Sequence, residues 1–564
     1  MIGYRKQLFL GPLFKLIEAI FELAVPLVVA SMIDKGVKTG DTGYIWRMGG
    51  LLLVLGIVGL CSTLVCQYYA SAASQGVGTV LRRELFAHIQ TFSHVEFDRF
   101  GAHSLVTRVT SDVNQLQLAV AMLIRLCVRV PFLAVGAVIM AFTVDVRSAL
   151  IILAAIPMIA LVLYWIMRKT APLFGIIQKK LDRISQVIRE NTDGVRVIRA
   201  FAREEDEVER FGEANEDLAG TVIGAGRISA LLNPLTYMIM YTATALLLYL
   251  GGRRIAADAL TQGQLVALVN YMNQILLALI VAANLVVIFT KASASAVRVN
   301  EIFDTVPTVF SPEVSAAADT GDNAVVFDHV SFGYGGDNVI DSFCWQVKRG
   351  STVGIIGGTG SGKSTLASLI MRFYDVTEGA VRVNGADVRD QRLDDLRRTA
   401  ALVLQKAELF SGTLEENIRF GRSGVTDQDI TEALDIAQAK DFAGQKGWDF
   451  HIEEGGKNLS GGQRQRLNIA RALAGRPDIL ILDDSASALD TVTDSALRKA
   501  IRERLQGMTL IIISQRIAAV READSILVLD NGAVAGEGTH DELMASCSVY
   551  REIAHSQSEG GILS

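Results

Sequence analysis

Long apolar stretches crowd about the first three hundred residues of the chain, and shorter apolar runs mixed with charges, glycines and turns fill the remainder. A membrane-spanning helix needs about 20 largely apolar residues. Six stretches of that kind lie at roughly 14–34, 50–74, 126–143, 148–167, 228–250 and 264–290. The pattern predicts a membrane part made only of α-helices, followed by an α/β part outside the membrane.

The chain changes character after the sixth apolar stretch. Residues 306–322 are rich in Pro, Ser, Ala and Asp, and the strand-like run "AVVFDHVSFGY" follows them. Such a run after a turn-rich segment is typical of the start of a new domain. We therefore predict a membrane domain with six helices and two long cytoplasmic loops over 1–305, a linker over 306–322, and a second domain over 323–564.

The two longest polar stretches of the membrane part, after the second and fourth spans, are rich in Arg and Lys. Since cytoplasmic loops carry an excess of basic residues, we expect both loops, the N-terminus and the second domain to lie in the cytoplasm; Arg253 and Arg254 run against this tendency. Both loops are interpreted as helical continuations of the spans. Their amphipathic pieces 106–117 and 189–205 either dock on another domain or are solvated loop helices.

The N-terminal segment has basic residues before an apolar stretch, as a secretory signal peptide does. Lys15, Glu18 and Glu22 interrupt that stretch, and further spans follow it. We therefore interpret it as a retained first helix rather than a cleaved signal.

Polar residues also occur within the predicted spans. In the sixth span they fall near one helical face, at Asn270, Asn273, Gln274 and Asn284. Intramembrane polar groups face a cavity or another helix, so this face lines a substrate cavity or forms hydrogen bonds between helices. The same alternatives apply to Tyr237 and Tyr241, whereas Arg125 and Arg129, near the cytoplasmic end of the third span, need no functional role.

Charge and cysteine content argue against several classes of protein. The 564 residues carry a formal net charge of −6, which does not indicate a nucleic-acid-binding protein. The five cysteines form no CxxC pair, and three of them lie in predicted spans. Neither a zinc site nor a disulfide framework is indicated, and we expect the cysteines to be small buried apolar residues.

A phosphate-binding loop lies in the first part of the second domain. The segment "GIIGGTGSGKST" contains the pattern GxxxxGK[ST] between a strand-like run and a helical run, "TLASLIMRFYD". In such a loop the backbone N–H groups surround phosphates, the lysine neutralises the β and γ phosphates, and the serine binds Mg²⁺. The residues expected to bind ATP here are Gly357, Gly358, Thr359, Gly360, Ser361, Gly362, Lys363, Ser364 and Thr365.

A second nucleotide motif follows further along the chain. The run "ILILDD" stays apolar up to Asp483, which is typical of a buried strand that presents a carboxylate to the Mg²⁺ shell. Ser364 and Asp483 are therefore the expected metal ligands.

The segment "LSGGQRQRLNIARAL" lies between these two motifs and resembles the signature of ATP-binding cassette (ABC) proteins. With six spans upstream, the whole chain resembles a half-transporter of the ABC exporter class. The resemblance implies an α/β P-loop ATPase as the second domain. It also implies that the signature binds ATP through Leu459, Ser460, Gly461, Gly462 and Gln463.

The resemblance assigns roles to three more residues. Tyr334 in "VSFGY" matches the aromatic residue that stacks on adenine. Gln405 in "LVLQKAELF" matches the Q-loop glutamine, so it is a third expected Mg²⁺ ligand and a catalytic residue that reaches the attacking water. Asp490 in "SALD" matches the D-loop aspartate at the seam between two ATPase domains.

In this family two ATPase domains face each other head to tail, and each ATP lies between the phosphate loop of one and the signature of the other. A second half-transporter is therefore an implied partner, along with membrane lipids. ATP binding closes the sites, hydrolysis reopens them, and the cytoplasmic loop helices carry the movement to the spans.

Two catalytic positions depart from the family pattern. The glutamate expected after Asp483 is replaced by Asp484, which is one methylene shorter, and the expected switch histidine is replaced by Gln515. An amide still donates a hydrogen bond to the γ phosphate but takes up no proton. General-base catalysis contributes about 10² to 10⁴ fold, so these changes predict a site that binds ATP and hydrolyses it weakly.

Because the signature matches the pattern, we predict a heterodimer whose other chain carries the consensus Glu and His. The alternatives are a slow homodimeric exporter, in which Asp484 reaches water through a shift or an intervening water, and an ATP-gated channel or regulator. The six spans argue against a soluble ABC ATPase, and fusion of the two domains argues against an importer.

The expected substrate is an amphipathic drug, lipid or peptide, and the expected location is a bacterial cytoplasmic membrane.

Overall fold

The structure is a computed structural model that describes residues 5–316, 321–422, 424–485 and 488–559. Contacts divide the chain into two compact units. One holds the chain up to Gln90 together with Ala102–Thr305, and the other holds Thr91–Gly101 with the chain from Val306 onward. The predicted linker falls partly on residues 317–320, which lie outside the described residues, and the three domain ranges stay a prediction.

Helices make up the N-terminal part of the chain. In chain order they are α1 Arg5–Met32, α2 Thr42–Ile89, α3 His94–Phe100, α4 Ala102–Thr107, α5 Val113–Met122, α6 Arg129–Val144, α7 Val146–Ala200, α8 Glu204–Ala230, α9 Leu232–Ala256 and α10 Gln262–Asp304. Single π-helical turns lie at Ile33–Val37, Arg108–Asp112 and Leu123–Cys127.

Within the described residues, six helical stretches are long and apolar enough to cross a membrane. They are Lys6–Val37, Thr42–Ile89, Ala102–Val144, Val146–Ala200, Glu204–Ala256 and Gln262–Asp304. The predicted class of the membrane part is therefore confirmed. The stretches are longer than the predicted spans because α2, α7 and α8 continue as helices through the polar loops, as the pattern indicated.

Gln274, on the polar face of the sixth span, contacts another helix. The amide of Gln274 donates to the backbone oxygen of Glu22 at 3.3 Å, and the hydroxyl of the neighbouring Tyr271 donates to the backbone oxygen of Leu23 at 2.8 Å. Asn270 donates to the backbone oxygen of Val266, one turn earlier on its own helix. Of the two alternatives for this face, Gln274 therefore takes the hydrogen-bonding one.

The basic and acidic residues of the first and third spans pair with each other. Arg129 lies 2.6 Å from the carboxylate of Glu22, and Lys15 lies 2.5 Å from that of Glu18. Both pairs lie on or against α1 and allow charged side chains to be placed among apolar helices.

The amphipathic piece 106–117 packs on α10. Asp112 is buried and accepts hydrogen bonds from Ser295 and from Arg298, both at 2.9 Å. Arg108 forms a salt bridge with Glu301 at 2.8 Å. This network fixes the π-helical turn to the last turns of α10.

The expectation for the cysteines is wrong for three of them. Cys66 and Cys547 are buried, but Cys61, Cys127 and Cys344 are exposed on the described chain. Cys61 and Cys127 lie in apolar helical stretches. Composition alone does not reveal which face of a helix a cysteine occupies.

Strands and helices alternate in the C-terminal part. The strands are β1 Asn323–Phe332, β2 Ile340–Lys348, β3 Thr352–Gly357, β4 Glu378–Val383, β5 Ala386–Asp387, β6 Ala400–Val403, β7 Gly412–Thr413, β8 His451–Ile452, β9 Ile479–Asp483, β10 Thr509–Ile513, β11 Ser525–Asp530 and β12 Ala533–Gly538. The helices are α11 Lys363–Ile370, α12 Leu393–Thr399, α13 Leu414–Arg419, α14 Asp427–Ile436, α15 Lys440–Lys446, α16 Gly461–Leu473, α17 Thr491–Arg504, α18 Ile517–Val520, α19 His540–Ser546 and α20 Ser548–Glu559.

Two larger sheets organise this part. The central sheet has the order β12-β11-β3-β10-β9-β6, with β11, β3, β10, β9 and β6 parallel and β12 antiparallel at one edge. An antiparallel sheet has the order β2-β1-β4-β5. The strands β9 and β10 are fully buried, which explains why they are continuous apolar runs in the sequence. The predicted α/β class is confirmed.

Candidate ATP site

The candidate site forms where neighbouring parallel strands end. The phosphate loop follows β3, Gln515 follows β10, Asp483 ends β9, and Gln405 follows β6. These four strands are consecutive in the central sheet. Because the carboxyl ends of parallel strands meet at one sheet edge, residues separated by more than a hundred positions converge there.

The phosphate loop joins β3 to α11 through left-handed backbone. Gly362 has φ +95° immediately before the first residue of α11, a conformation that glycine adopts without strain. At Gly357 a Cβ atom would lie 2.2 Å from the backbone oxygen of Leu529, so a side chain there is excluded. The loop thus presents a helix N-terminus and free space for an anion.

Lys363 is buried at the base of this loop. Its ammonium donates to the backbone oxygen of Gly357 at 2.9 Å, to that of Gly358, and to the hydroxyl of Ser361 at 3.3 Å. Burial lowers the pKa of Lys363 from its ordinary value, with Asp483 and Asp484 acting in the opposite direction. A buried ammonium of this kind is stabilised by the negative charge of phosphates.

Ser364 and Asp483 come together as predicted for metal ligands. The hydroxyl of Ser364 donates to the carboxylate of Asp483 at 3.1 Å. Burial raises the pKa of Asp483. A hydroxyl and a buried carboxylate side by side are hard oxygen ligands that fit Mg²⁺, which would neutralise phosphate charge at this position.

Asp484 faces the glutamine of the Q-loop. The amide of Gln405 donates to the Asp484 carboxylate at 3.1 Å, so the structure brings together these two predicted catalytic residues. Burial raises the pKa of Asp484, and the charge of Arg516 opposes that shift. The backbone of Asp484 is left-handed, with φ +42°, and its N–H donates to the oxygen of Ile513 at 2.8 Å.

Gln515 lies two residues beyond the end of β10 with its side chain exposed. Because the Asp484 N–H bonds to Ile513, the two residues that depart from the family pattern belong to directly connected loops. Ser514, which lies between Ile513 and Gln515, donates its N–H to the oxygen of Ile355 on β3 at 3.0 Å. The segment carrying Gln515 is thereby linked to the strand that leads into the phosphate loop.

Tyr334 lies beside the phosphate-loop helix. Its hydroxyl donates to that of Thr365 at 3.2 Å, and its half-exposed ring packs edge-on against Phe332 and Tyr374, with centroids 4.9 and 5.1 Å away. A half-exposed aromatic ring beside the phosphate-loop helix fits the predicted stacking on adenine.

Tyr374 was not predicted as a site residue. Its hydroxyl donates to the carboxylate of Asp98 at 2.7 Å, and the ring of His94 stacks on the neighbouring Phe373 at 4.3 Å. The run "TLASLIMRFYD" was predicted to be helical throughout, which is wrong: α11 ends at Ile370, and Arg372 adopts φ +48°. The run contains no Gly or Pro that would have marked this turn in the sequence.

The signature segment begins α16. Ser460 caps the helix: its hydroxyl accepts from the Gln463 N–H at 3.2 Å, and the Gln463 side chain accepts from the Ser460 N–H at 2.9 Å. Ser460 and Gly461 are exposed at this helix N-terminus. Among the residues that the structure describes, no hydrogen bond joins the signature to the phosphate loop.

Asp490 caps α17. Its carboxylate accepts from the N–H of Thr493 at 2.9 Å and from the hydroxyl of the same residue at 2.8 Å. These hydrogen bonds lower the pKa of Asp490. Within this chain Asp490 is thus a helix-capping residue.

The fold and the site together define a membrane ATPase of the cassette type. Residues 8–279 match the family model of the ABC transporter transmembrane region, and residues 340–487 match that of the ABC transporter ATP-binding domain. The chain belongs to the ABC transporter family and is a half-transporter, with one membrane region fused to one ATP-binding domain. Members of this family couple ATP to transport, and their ATPase domains bind ATP and generally Mg²⁺.

Relatives and a solved structure match nearly the whole chain. The Mycobacterium tuberculosis protein "Uncharacterized ABC transporter ATP-binding protein Rv1273c" is 39% identical over 98% of this chain and 96% of its own length. The Bacillus subtilis protein "Uncharacterized ABC transporter ATP-binding protein YfiB" is 35% identical over 96% of this chain and 95% of its own. A bacterial Atm1-family ABC exporter with ATP bound shares the fold, with a TM-score of 0.82, 24% identity, and coverage of 98% and 99% of the two chains.

Proposed function

We propose that this chain is one subunit of an ATP-driven exporter that moves an amphipathic substrate out of the cytoplasm by alternating access. The observation that carries the proposal is the fold likeness to an ABC exporter over both the membrane and the ATPase parts. The arrangement of Lys363, Ser364 and Asp483 supports ATP and Mg²⁺ as the energy source.

The ATP site is completed by a second chain. Ser460 and Gly461 are exposed at the start of α16, and among the described residues no hydrogen bond joins them to the phosphate loop of their own chain. A helix N-terminus favours negative charge, so this surface suits the γ phosphate of an ATP held by a partner. Phe201, 74% exposed at the end of α7, supports docking of the second cytoplasmic loop on another surface.

The site on this chain is degenerate for hydrolysis. The Asp484 side chain is one methylene shorter than that of a glutamate, and its carboxylate accepts a hydrogen bond from the Gln405 amide. The Gln515 amide can donate a hydrogen bond to the γ phosphate, but it cannot take up a proton. In this proposal ATP stays bound at this site for long periods and holds the two ATPase domains together.

The partner is a different chain that carries the consensus Glu and His. Unequal departure from the family pattern supports this: Asp484 and Gln515 reduce hydrolysis at this chain's own phosphate loop, while Ser460 and Gln463 retain the signature that serves the other loop. Turnover then takes place on the partner's phosphate loop against Leu459–Gln463.

An apolar cavity that is widely open to the surface of the chain supports an amphipathic, uncharged substrate. It has a volume of about 780 Å³, within the range of small-molecule sites, and lies between α6 and α10. Its walls include Val130, Leu285 and Phe289, and its neutral polar groups are Thr290 and Ser293. We propose that the substrate places an apolar body among these walls and a neutral polar group at the hydroxyls.

The bacterial cytoplasmic membrane is the proposed location. The six apolar helices require a lipid bilayer, and the relatives named above come from bacteria. The ATPase part lies in the cytoplasm, where ATP is available.

Transport into inverted membrane vesicles tests the exporter proposal. We expect ATP-dependent accumulation of a lipophilic uncharged dye against its gradient, and no accumulation when Lys363→Ala is introduced. Conductance that equilibrates the dye without concentrating it would contradict export and support a gated channel.

Phe289→Ala in the same vesicles tests the cavity. We expect the KM for dye transport to rise roughly 10- to 30-fold, because the ring contributes about 1.5 to 2 kcal/mol of apolar contact. Val54→Ala, an exposed apolar position on α2, is the matched control and should leave KM unchanged. If both variants raise KM equally, the cavity is not part of the path that the substrate takes.

A further inference from the structure

The C-terminal helix contacts the segment that carries Gln515. On α20 the side chain of Gln557 bridges two backbone groups: its oxygen accepts from the N–H of Ile517 at 2.9 Å, and its nitrogen donates to the oxygen of Gln515 at 2.7 Å. Gln515 lies in the short connection between β10 and α18, and Ile517 is the first residue of α18. One amide thus satisfies a donor and an acceptor that no strand or helix pairing uses.

The position of Gln557 is fixed by the packing of α20. Tyr550 and Ala554 are buried in the core cluster that also contains Ile517 and Val520 of α18. Residues spaced by four and three positions lie on one helical face, so Gln557 continues the face defined by Tyr550 and Ala554. The hydroxyl of Tyr550 is held by the ring of His540 at 2.8 Å. The bridge therefore rests on an anchored helix.

Backbone N–H groups of the same connection form two further hydrogen bonds. Ser514 donates its N–H to Ile355, and the Arg516 N–H donates to the Ser514 hydroxyl at 3.0 Å. The carbonyl of Gln515 accepts the hydrogen bond from Gln557, and this bond fixes the orientation of the peptide that follows Gln515. Rotating that peptide would redirect the exposed Gln515 side chain, because the Cα–Cβ direction follows the backbone.

We infer that Gln557 is a positioning residue that holds the Gln515 side chain towards the γ phosphate, so that the C-terminal helix sets how long ATP stays bound on this chain. The inference rests on the proposed role of Gln515. It gives the C-terminal helix a part in nucleotide retention that the cassette motifs do not assign. Since ADP lacks the γ phosphate, the effect is specific to ATP.

Release of an azido-ATP photoprobe from this chain tests the inference. The purified transporter is loaded with the probe, chased with unlabelled ATP, and irradiated at intervals, and label on this chain is followed on a gel. We expect Gln557→Ala to accelerate release roughly 5- to 20-fold, as loss of two hydrogen bonds allows. Gln557→Glu, which keeps the acceptor for Ile517 but not the donor, should fall between Gln557→Ala and the unmodified chain.

Three controls separate positioning from loss of structure. Ser556→Ala, whose hydroxyl bonds only within α20 at 2.9 Å to Ile553, should change release less than twofold. Release of azido-ADP should be the same in Gln557→Ala and in the unmodified chain, whereas general loosening would accelerate both nucleotides. The double variant of Gln515→Ala with Gln557→Ala should release ATP no faster than Gln515→Ala alone.

The outcomes distinguish this inference from the function on which it rests. If Gln515→Ala accelerates release and Gln557→Ala does not, or if the two effects add, the positioning role of Gln557 is wrong and the proposed role of Gln515 stands. If Gln515→Ala itself leaves release unchanged, the proposed role of Gln515 is wrong and the inference fails with it. Faster release of ADP in Gln557→Ala also overturns the inference.

Discussion

Ser460→Asp is expected to reduce the ATPase activity of the assembled transporter by about 100-fold, while Asp484→Asn reduces it less than twofold. Aspartate still caps α16 but sets a negative charge against the γ phosphate held by the partner, and losing one preorganised donor costs about 10² to 10³ in rate. Asp484→Asn removes only a base that contributes little. Steady-state phosphate release from the purified complex measures both effects.

Two variants control for structure in this comparison. Ser460→Asn keeps the cap without the charge and should reduce activity less than tenfold, and Lys457→Ala, an exposed neighbour of the signature, should leave activity unchanged. If Asp484→Asn abolishes activity and Ser460→Asp does not, the roles proposed for the two sites are reversed.

Restoring both family residues on this chain should create a hydrolytic site. In a complex whose partner lacks its own catalytic glutamate, we expect Asp484→Glu with Gln515→His to raise ATPase activity at least tenfold. A positioned base contributes about 10² to 10⁴ fold, and geometry set for aspartate limits the gain. Each single substitution should raise activity less than the pair, because the base and the γ-phosphate contact act on one transition state. No gain from the pair would mean that Asp484 and Gln515 do not limit hydrolysis.

The spans and the phosphate site follow from local patterns. An apolar run of about 20 residues is stable in a bilayer as a helix. The pattern GxxxxGKS, together with a buried strand that ends in Asp483, meets the requirements of phosphate and Mg²⁺. The structure accordingly joins Ser364 to Asp483 and Gln405 to Asp484. In both cases the chemistry of one ligand dictates the residues.

Contacts between distant segments could not be predicted in the same way. Tyr374 meets Asp98 across 276 positions, and Gln274 bonds to the backbone of Glu22 across 252. Neither contact produces a repeating pattern in the sequence, because each depends on how separate segments pack. Likewise, α3 looked like part of a cytoplasmic loop, yet residues 91–101 belong to the compact unit of the ATPase part.

The exposed signature and the hydrogen-bonded Asp484 bear on the number of working sites. In the proposed arrangement, a pair of this chain with a consensus partner has one efficient ATP site, and two copies of this chain have two weak sites. ATP consumption per transported molecule therefore depends on the identity of the second chain.

Vanadate trapping of nucleotide in the purified transporter tests the heterodimer with one hydrolytic site most directly. Vanadate holds ADP where hydrolysis has occurred, and a labelled azido-ATP probe identifies the chain whose phosphate loop contains it. We predict trapped ADP on the partner's phosphate loop and intact ATP on the loop of Lys363. Equal trapping of ADP on both phosphate loops, or purification of an active transporter containing only this chain, would contradict the proposal.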